Sequence, residues 1–365
     1  MFSDSFLEKI FDKVKRGERV TFDEGVRLFE TEDLIGLGYI ADFVNRKKNG
    51  NIVYFNINRH INPTNLCINK CQFCAFYRNS LDEPGAYEMS VEQIIKTLKP
   101  EVENGCKEVH IVGGLHPEWK FEDYLAIIRG IKENFPELHI KAFTCVEFDH
   151  FSRISGLSIE EVIDKLKEAG LGSVPGGGAE VFSQRVRRIL CRNKISGERW
   201  LEIAEKIHQK GLKSNATMLY GHIETYEERI DHLDRLRKLQ DKTGGFNAFI
   251  PLSYHPENTE LEKRLNIKGS TGIDDLKVIA VSRIFLDNFK HIKAYWVMLG
   301  KKLAQTALWF GANDLDGTVV EETVTYMAGY KTERKATIPE IVNLIKTAKR
   351  KPVERDTLYN TIREY

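Results

Sequence analysis

The sequence predicts an α/β protein whose parallel strands form a complete or partial TIM-type (β/α) barrel. Strand-like and helix-like segments alternate about seven times along the 365 residues, which is typical of parallel strands joined by crossover helices. An open, doubly wound sheet is the alternative. It would be expected to carry a G-x-G-x-x-G turn after its first strand, and the sequence has none there.

Residues 1–48 are expected to form a helical extension that caps or plugs one end of the barrel. Thr21 and Glu24 match a capping box, in which two side chains satisfy backbone amides at a helix start. An apolar pattern at helical spacing continues over 35–44.

The barrel is predicted over 49–315. Its expected strands are 51–58, 108–112, 139–146, 173–180, 214–220, 247–254 and 291–299. Its expected helices are 90–104, 121–135, 158–170, 200–209, 225–239, 273–286 and 303–310. Pro100 should kink or shorten its helix, because proline removes a backbone donor.

Residues 316–365 are expected to form a C-terminal extension that packs on the barrel. A final helix should begin at Thr337, and 351–365 reads as a polar tail.

Composition excludes several classes of protein. Lys plus Arg is 54 and Asp plus Glu is 53, so the net charge of +1 gives no basic excess for nucleic-acid binding. No segment approaches the roughly 18 to 20 apolar residues of a membrane span. Six cysteines are too few for a disulfide scaffold. With no signal-peptide pattern at the N-terminus, we expect a protein of the reducing cytoplasm.

Cys67, Cys71 and Cys74 are the strongest chemical signal, spaced C-x3-C-x2-C with Phe73 before the last cysteine. Three thiolates can hold three irons of a 4Fe–4S cluster and leave the fourth iron open to a substrate. A structural zinc site would want a fourth ligand nearby, and three inert buried thiols are a further alternative. The other cysteines, at 106, 145 and 191, are isolated.

Further candidates follow the predicted strands, at the edge where parallel barrels place their active sites. Gly113 and Gly114 would let the backbone approach a ligand closely, although an ordinary tight turn also uses glycine. The three glycines before Glu180 leave room for a bulky ligand, and the Glu180 carboxylate could accept hydrogen bonds from ribose hydroxyls. Glu147 is expected at the end of the third strand.

Two other sets of residues are weaker candidates. The segment from Gly221 to Glu224 ends the fifth strand and could pack against an adenine ring. Arg78, His116 and His255 could bind a substrate carboxylate, because Arg and His donate to anions. Each is at least as well explained as a structural residue.

The cysteine loop and five later stretches resemble the radical S-adenosylmethionine (SAM) superfamily. These stretches are 64–78, 110–117, 174–180, 217–225, 314–322 and 354–360. Within the superfamily they resemble the branch of the futalosine route to menaquinone and of deazaflavin formation, and there the aminodeoxyfutalosine synthases. Cys145 departs from the small apolar residue that is commoner at its place. The cyclases of the same route are expected to carry Trp and Gln near Leu252 and His255, which this chain lacks.

The resemblance implies a radical SAM barrel and a transferase. A 4Fe–4S cluster on Cys67, Cys71 and Cys74 would cleave S-adenosylmethionine, which is a co-substrate. The 5′-deoxyadenosyl radical would add to 3-[(1-carboxyvinyl)oxy]benzoate, with aryl migration and loss of a carboxylate, giving 6-amino-6-deoxyfutalosine. The alternatives are the dehypoxanthine futalosine cyclase reaction and a non-catalytic zinc-binding scaffold.

The resemblance also implies contacts and partners. The residues expected to contact S-adenosylmethionine are Phe73, Gly113, Gly114, Glu180, Gly221 and Glu224. The expected partners are an aryl enol ether substrate and reduced flavodoxin or ferredoxin as electron donor, with no nucleic acid and no membrane.

Overall fold

The structure is a computed structural model that describes residues 2–318, 323–329 and 335–365. Its strands are β1 (Ile52–Asn56), β2 (Asn58–Ile61), β3 (Glu108–Ile111), β4 (His139–Ala142), β5 (Ser173–Val174), β6 (Lys213–Tyr220), β7 (Phe246–Ser253), β8 (His291–Ile292), β9 (Asp314–Gly317), β10 (Lys351–Arg355) and β11 (Thr361–Glu364).

The helices lie between these strands and at the N-terminus. They are α1 (Ser5–Lys15), α2 (Phe22–Glu30), α3 (Leu34–Asn49), α4 (Val91–Glu103), α5 (Phe121–Asn134), α6 (Cys145–Ser155), α7 (Ile159–Ala169), α8 (Gln184–Leu190), α9 (Gly197–Gln209), α10 (Tyr226–Thr243), α11 (Glu260–Leu265), α12 (Gly272–Phe285), α13 (Trp296–Leu299), α14 (Lys301–Ala307), α15 (Thr323–Met327) and α16 (Ile338–Thr347). None of the helices in the described ranges is both long and apolar enough to cross a membrane.

Parallel pairing runs around a closed ring. One sheet has the order β2-β3-β4-β5-β6-β7-β8, and the second has the order β11-β10-β1-β9. A parallel bridge between Lys293 and Asp314 joins β8 to β9, and β9 pairs with β1. After Ile57, β1 continues into β2, which returns the chain to the first sheet. The predicted barrel is therefore present.

Helix starts were the most readable local signals in the sequence. The Thr21 hydroxyl accepts from the Glu24 amide, and the Glu24 carboxylate accepts from the Thr21 amide, so the predicted capping box is confirmed. The same arrangement begins α4, α7, α10 and α16. Each box satisfies amides that the helix itself leaves without an acceptor.

The N-terminal helices pack on the outer helical layer of the barrel. Helix α3 lies against α12, and α2 lies against α10 and α12. Lys48 and Asn49, at the end of α3, donate to backbone carbonyls of the loop before β8, at Phe289 and Lys290. Gly38 of α3 leaves room for the ring of Phe310, which would lie 2.7 Å from an added Cβ.

Five local predictions were wrong. The expected strand 139–146 ends at Ala142, and Cys145 begins helix α6, so Glu147 lies in a first helical turn. The expected strand 291–299 is a two-residue strand followed by α13. The expected strand 173–180 ends at Val174. Pro100 lies inside α4 and does not shorten that helix, which runs to Glu103.

The fifth error concerns the expected polar tail at 351–365. It forms β10 and β11, and β10 pairs in parallel with β1. Four of the five residues of β10 are buried, because Arg355 and Glu354 find partners in Asp314 and Tyr365. Of the resembling stretch 314–322, residues 319–322 lie outside the described ranges.

Candidate active site

The barrel encloses a cavity of about 350 Å³. One end, here called the mouth, is formed by the cysteine loop after β2 and by the glycine-rich segments after β3 and β5. The other end, here called the floor, is formed by polar side chains from inside the ring: His60, His110, Lys141, Lys293 and Asp316. A cavity of this volume suits a small-molecule ligand.

Backbone hydrogen bonds hold the cysteine loop to distant parts of the chain. The Ile68 amide donates to the Leu115 carbonyl at 3.0 Å, and the Gln72 amide donates to the Leu190 carbonyl at 2.8 Å. Lys70 adopts a positive φ of 49°, which turns the chain between the first two cysteines. The loop is therefore tied both to the end of β3 and to α8.

The thiols of Cys67, Cys71 and Cys74 all line the mouth. Burial raises the pKa of the Cys71 and Cys74 thiols, and the Lys194 ammonium opposes that shift at both. Across the described ranges, no set of three or more His, Cys, Asp or Glu side chains is arranged to hold a single metal ion.

Arg78 organises the cysteine loop from within. Its guanidinium donates to the backbone carbonyls of Ala75, Tyr77 and Pro84 at 3.1, 2.8 and 3.0 Å. The side chain does not line the cavity. The Nε and Nη1 atoms of Arg78 thus serve to hold the loop carbonyls in place.

Two glycines are required at the mouth because backbone passes close to backbone. A Cβ on Gly114 would lie 2.1 Å from the carbonyl oxygen of Leu66, in the cysteine loop. A Cβ on Gly176 would lie 2.6 Å from the carbonyl oxygen of Asn215. Gly113 lines the cavity beside Gly114. A tight turn and an open ligand surface are thus combined here.

Glu180, which is buried, and Lys194, which is half-buried, form an ion pair at the mouth, with Lys194 Nζ 2.5 Å from Glu180 Oε1. Burial alone would lower the pKa of Lys194, but Cys71 and Glu180 raise it above its usual value. Lys194 Nζ also lies 5.2 Å from the centre of the Phe73 ring. A cation thus stands beside the predicted cluster ligands.

Glu147 belongs to the mouth as well, although it comes from helix α6. Its carboxylate accepts from the Thr144 amide at 2.6 Å and from the Gly113 amide at 3.4 Å. Burial raises the pKa of Glu147 to about 7, against the lowering effect of these hydrogen bonds. The group can therefore hold or release a proton near neutral pH.

Most of the predicted site residues line the cavity, and four do not. Those that line it are Cys67, Cys71, Phe73, Cys74, Gly113, Gly114, Glu180 and His255. Gly221 and Glu224 do not, and the Glu224 carboxylate accepts from the Gly221 amide at 2.6 Å. His116 lies outside too, with its Nε2 2.9 Å from a Glu88 carboxylate oxygen, as does Arg78.

The floor is the part of the site that sequence reasoning missed, together with Lys194. The sequence did contain an indication of the floor. Strands of a parallel barrel are normally near-continuous apolar runs, so polar residues within them are unusual. His60, His110 and Lys141 instead interrupt three successive strands, at positions that pair in register. Polar residues at matched positions inside predicted strands would have indicated a lined interior.

Two family models cover most of the chain. The model of the radical SAM superfamily matches residues 61–236, and the model of the CofH/MqnC C-terminal region matches residues 243–364. The aminodeoxyfutalosine synthase of Thermus thermophilus is 46% identical, covering 99% of this chain and 97% of the relative. That of Streptomyces coelicolor is 44% identical, covering 97% and 93%.

Relatives with other names are also similar. A 5-amino-6-(D-ribitylamino)uracil–L-tyrosine 4-hydroxyphenyl transferase of Methanococcoides burtonii is 40% identical over 94% of this chain and 96% of the relative. The cyclic dehypoxanthine futalosine synthase of Streptomyces coelicolor is 40% identical over 97% and 88%.

Among solved structures, methylornithine synthase superposes with a TM-score of 0.74 at 21% identity, covering 94% of this chain and 97% of that one. This likeness concerns the fold, and it agrees with the closed ring of parallel strands. Together, the matched family models and the near full-length relatives establish that the chain is an enzyme of the radical SAM superfamily.

Proposed function

We propose that this enzyme is an aminodeoxyfutalosine synthase. It would join the 5′-deoxyadenosyl group of S-adenosylmethionine to the vinyl carbon of 3-[(1-carboxyvinyl)oxy]benzoate. Aryl migration and loss of the former pyruvyl carboxylate would then give 6-amino-6-deoxyfutalosine. The observation that carries the proposal is the 46% and 44% identity to two aminodeoxyfutalosine synthases over at least 93% of each relative.

The residues at the mouth fit a 4Fe–4S cluster and its ligand. Three cysteines share one cavity with a cation, Lys194, and the adjoining backbone is made of glycine where a Cβ would clash. When bound, such a cluster supplies the electron that cleaves S-adenosylmethionine. Cys67, Cys71 and Cys74 would hold it by three thiolates, which leaves one iron for the co-substrate.

The chain's own residues would then bind the co-substrate and exclude water. The backbone at Gly113 and Gly114 can approach the methionine part, because no side chain intervenes there. The Glu180 carboxylate, held in place by Lys194, can accept hydrogen bonds from the ribose hydroxyls. Glu147 can take up or release a proton next to the Gly113 amide.

The partners follow from the same proposal. The electron donor would be reduced flavodoxin or ferredoxin, and the reaction would take place in the cytoplasm, where thiolates and an exposed iron persist in reduced form. The small aryl substrate would enter the cavity, whose walls between mouth and floor include Leu219, Ile250 and Leu252.

The cyclase reaction is a second candidate, because the cyclic dehypoxanthine futalosine synthase is 40% identical over 97% of this chain. The two reactions differ in the fate of the adenosyl carbons. A synthase retains them in its product, whereas a cyclase releases them as 5′-deoxyadenosine. The segment 249–256 lacks the Trp and Gln expected of cyclases, which favours the synthase.

An anaerobic assay tests the proposal. The cluster-loaded protein is mixed with dithionite, S-adenosylmethionine and 3-[(1-carboxyvinyl)oxy]benzoate, and the products are analysed by mass spectrometry. An adduct of adenosine with the aryl group is expected. Free 5′-deoxyadenosine without an adduct would reject this substrate. A parallel assay with dehypoxanthine futalosine would then identify a cyclase.

A further inference from the structure

We infer that the floor of the barrel is a carboxylate-binding subsite that holds the aromatic carboxylate of the substrate, with Lys141 and Lys293 as its principal donors. This inference rests on the proposed function for the identity of the substrate. The arrangement of the floor does not depend on that identity, because it consists of the positions, charges and hydrogen bonds of its own residues.

The floor is one transverse layer of the barrel. His60 pairs with His110, and His110 pairs with Lys141, across the three neighbouring strands β2, β3 and β4. The two imidazole rings lie 4.5 Å apart between centres. Gly113 comes three residues after His110, so the mouth is about 10 Å further along the strand at 3.3 Å per residue.

Charges at the floor are balanced before any ligand binds. Lys141 Nζ lies 2.8 Å from Glu108 Oε1, Lys293 donates to Asp316, and Arg355 Nε lies 2.7 Å from Asp314 Oδ2. All six of these residues are buried. Three cations thus face three carboxylates, and an incoming anion must be held by hydrogen bonds.

Hydrogen-bond donors remain available for that purpose. An ammonium group carries three N–H donors. Within the described ranges, Lys141 donates only to Glu108, and Lys293 donates only to Asp316. Both lysines line the cavity, so their remaining donors can reach a ligand that enters it.

The two histidines complete this surface. Burial lowers the pKa of His60 to about 4 and holds that of His110 well below its usual value, so both rings are neutral at pH 7. The buried Nε2 atom of His60 has no hydrogen-bond partner in the described part of the chain. A buried polar atom without a partner is costly, and a bound carboxylate or its water would relieve that cost.

Apolar side chains lie between the floor and the mouth. Leu219 and Leu252 pair across β6 and β7. One layer deeper, Ile250 pairs with Thr217, a polar residue whose hydroxyl donates to the Gly176 carbonyl. All four line the cavity. An aromatic ring fits an apolar layer of this kind. A ligand with an aryl carboxylate at the floor would therefore present its enol ether toward the cysteines.

Equilibrium binding to the cluster-loaded protein tests the inference without relying on turnover. The probe is 3-hydroxybenzoate, and 3-hydroxybenzamide is its uncharged counterpart. We expect calorimetry to find the acid bound about 10- to 100-fold more weakly by Lys141→Met and by Lys293→Met, the loss expected for one hydrogen bond to a charged group. Binding of the amide should change far less.

Lys13→Met is the matched control, because Lys13 also pairs with a carboxylate, that of Glu24, but lies outside the cavity. Its affinity for the acid should equal that of the unmodified protein. If Lys141→Met does not fold, the double variant Glu108→Gln/Lys141→Met removes the ion pair as a unit and leaves no buried charge alone.

The outcomes separate this inference from the proposed function. Unchanged affinity for the acid in both lysine variants would overturn the inference, whether or not the enol ether is converted. Lysine-dependent binding of the acid, in a protein that does not convert the enol ether, would keep the subsite and reject the synthase assignment.

Discussion

The mouth and the floor of the barrel are built by opposite means. At the mouth, the contact surface is backbone, and a Cβ on Gly114 would lie 2.1 Å from the Leu66 carbonyl oxygen. At the floor, the contact surface consists of charged side chains that pair with one another, such as Lys141 with Glu108. Added side-chain atoms should therefore disturb the mouth, whereas removal of a charged group should disturb the floor.

This difference also decides what each substitution should reveal. A change at the mouth should alter retention of the proposed cluster or the fit of the cysteine loop. A change at the floor leaves the cysteines in place and alters the pairing of charges inside the ring.

The largest effect is expected for Cys71→Ala, which removes one of the three proposed cluster ligands. The variant should lose its cluster absorbance after anaerobic reconstitution and should no longer cleave S-adenosylmethionine. Cys106→Ala is the control, because Cys106 is buried outside the cavity and its thiol donates to the Glu108 carbonyl. A Cys71→Ala protein that keeps a full cluster would contradict the proposed ligand set.

Gly114→Ala should lower the free energy of unfolding by about 3 kcal/mol, because the new methyl group meets backbone that cannot turn aside. Urea denaturation measures the change. Gly272→Ala is the matched control, since a Cβ there would meet only Leu303 at 3.7 Å, an ordinary contact. Equal stabilities of the two variants would show that the cysteine loop can move away from β3.

Glu147→Gln should change how stability depends on pH. The unfolded carboxyl ionises near 4.5, whereas burial raises the pKa of Glu147 to about 7 in the folded protein. The folded protein therefore prefers the protonated form, and this contribution is present below pH 4.5 and is lost as the pH rises through 7. The variant keeps a neutral side chain at every pH.

Glu147→Gln should accordingly exceed the unmodified protein in free energy of unfolding at pH 8, by on the order of 3 kcal/mol, and match it near pH 4. Denaturant titrations at the two pH values test this. Glu137→Gln is the control, because Glu137 is exposed. Its free energy of unfolding should differ from that of the unmodified protein by the same amount at both pH values. A constant difference for Glu147→Gln would show that the carboxyl titrates normally.

The smallest effect is expected for Thr357→Val, next to the floor residue Lys141, whose carboxylate partner is Glu108. The Thr357 hydroxyl donates to Glu108 Oε2 at 2.6 Å, and both residues are buried. Losing this bond should cost about 2 kcal/mol of unfolding free energy and leave cluster absorbance unchanged. Thr97→Val, which loses an exposed bond to the Gln93 carbonyl, should cost less. Loss of the cluster in Thr357→Val would break the separation between floor and mouth.

Sequence reasoning reached the mouth because its signals are local. The cysteine spacing and the glycine pair at Gly113 are each contained in a few adjacent residues, and their physical meaning does not depend on distant partners. The alternation of strands and helices likewise predicted the barrel, which the closed pairing confirms.

Sequence reasoning missed the floor and the last strands because their signals depend on partners that are distant in the sequence. Arg355 and Glu354 read as a solvated tail, yet Arg355 is buried because Asp314, far away in sequence, neutralises it. Glu147 was assigned to a strand end because the apolar run before it continues the strand pattern past Ala142. Only the Thr144–Glu147 capping box reveals a helix start there.

The position of β1 leaves this strand without its partner strands while the chain is being synthesised. This strand pairs with β9 and β10, which begin at Asp314 and Lys351. At 5–20 residues per second, a ribosome needs roughly 13 to 50 seconds to reach β9 after finishing β1. Both edges of β1 lack their native partners throughout that time, so the growing polypeptide carries an open strand during most of its own translation.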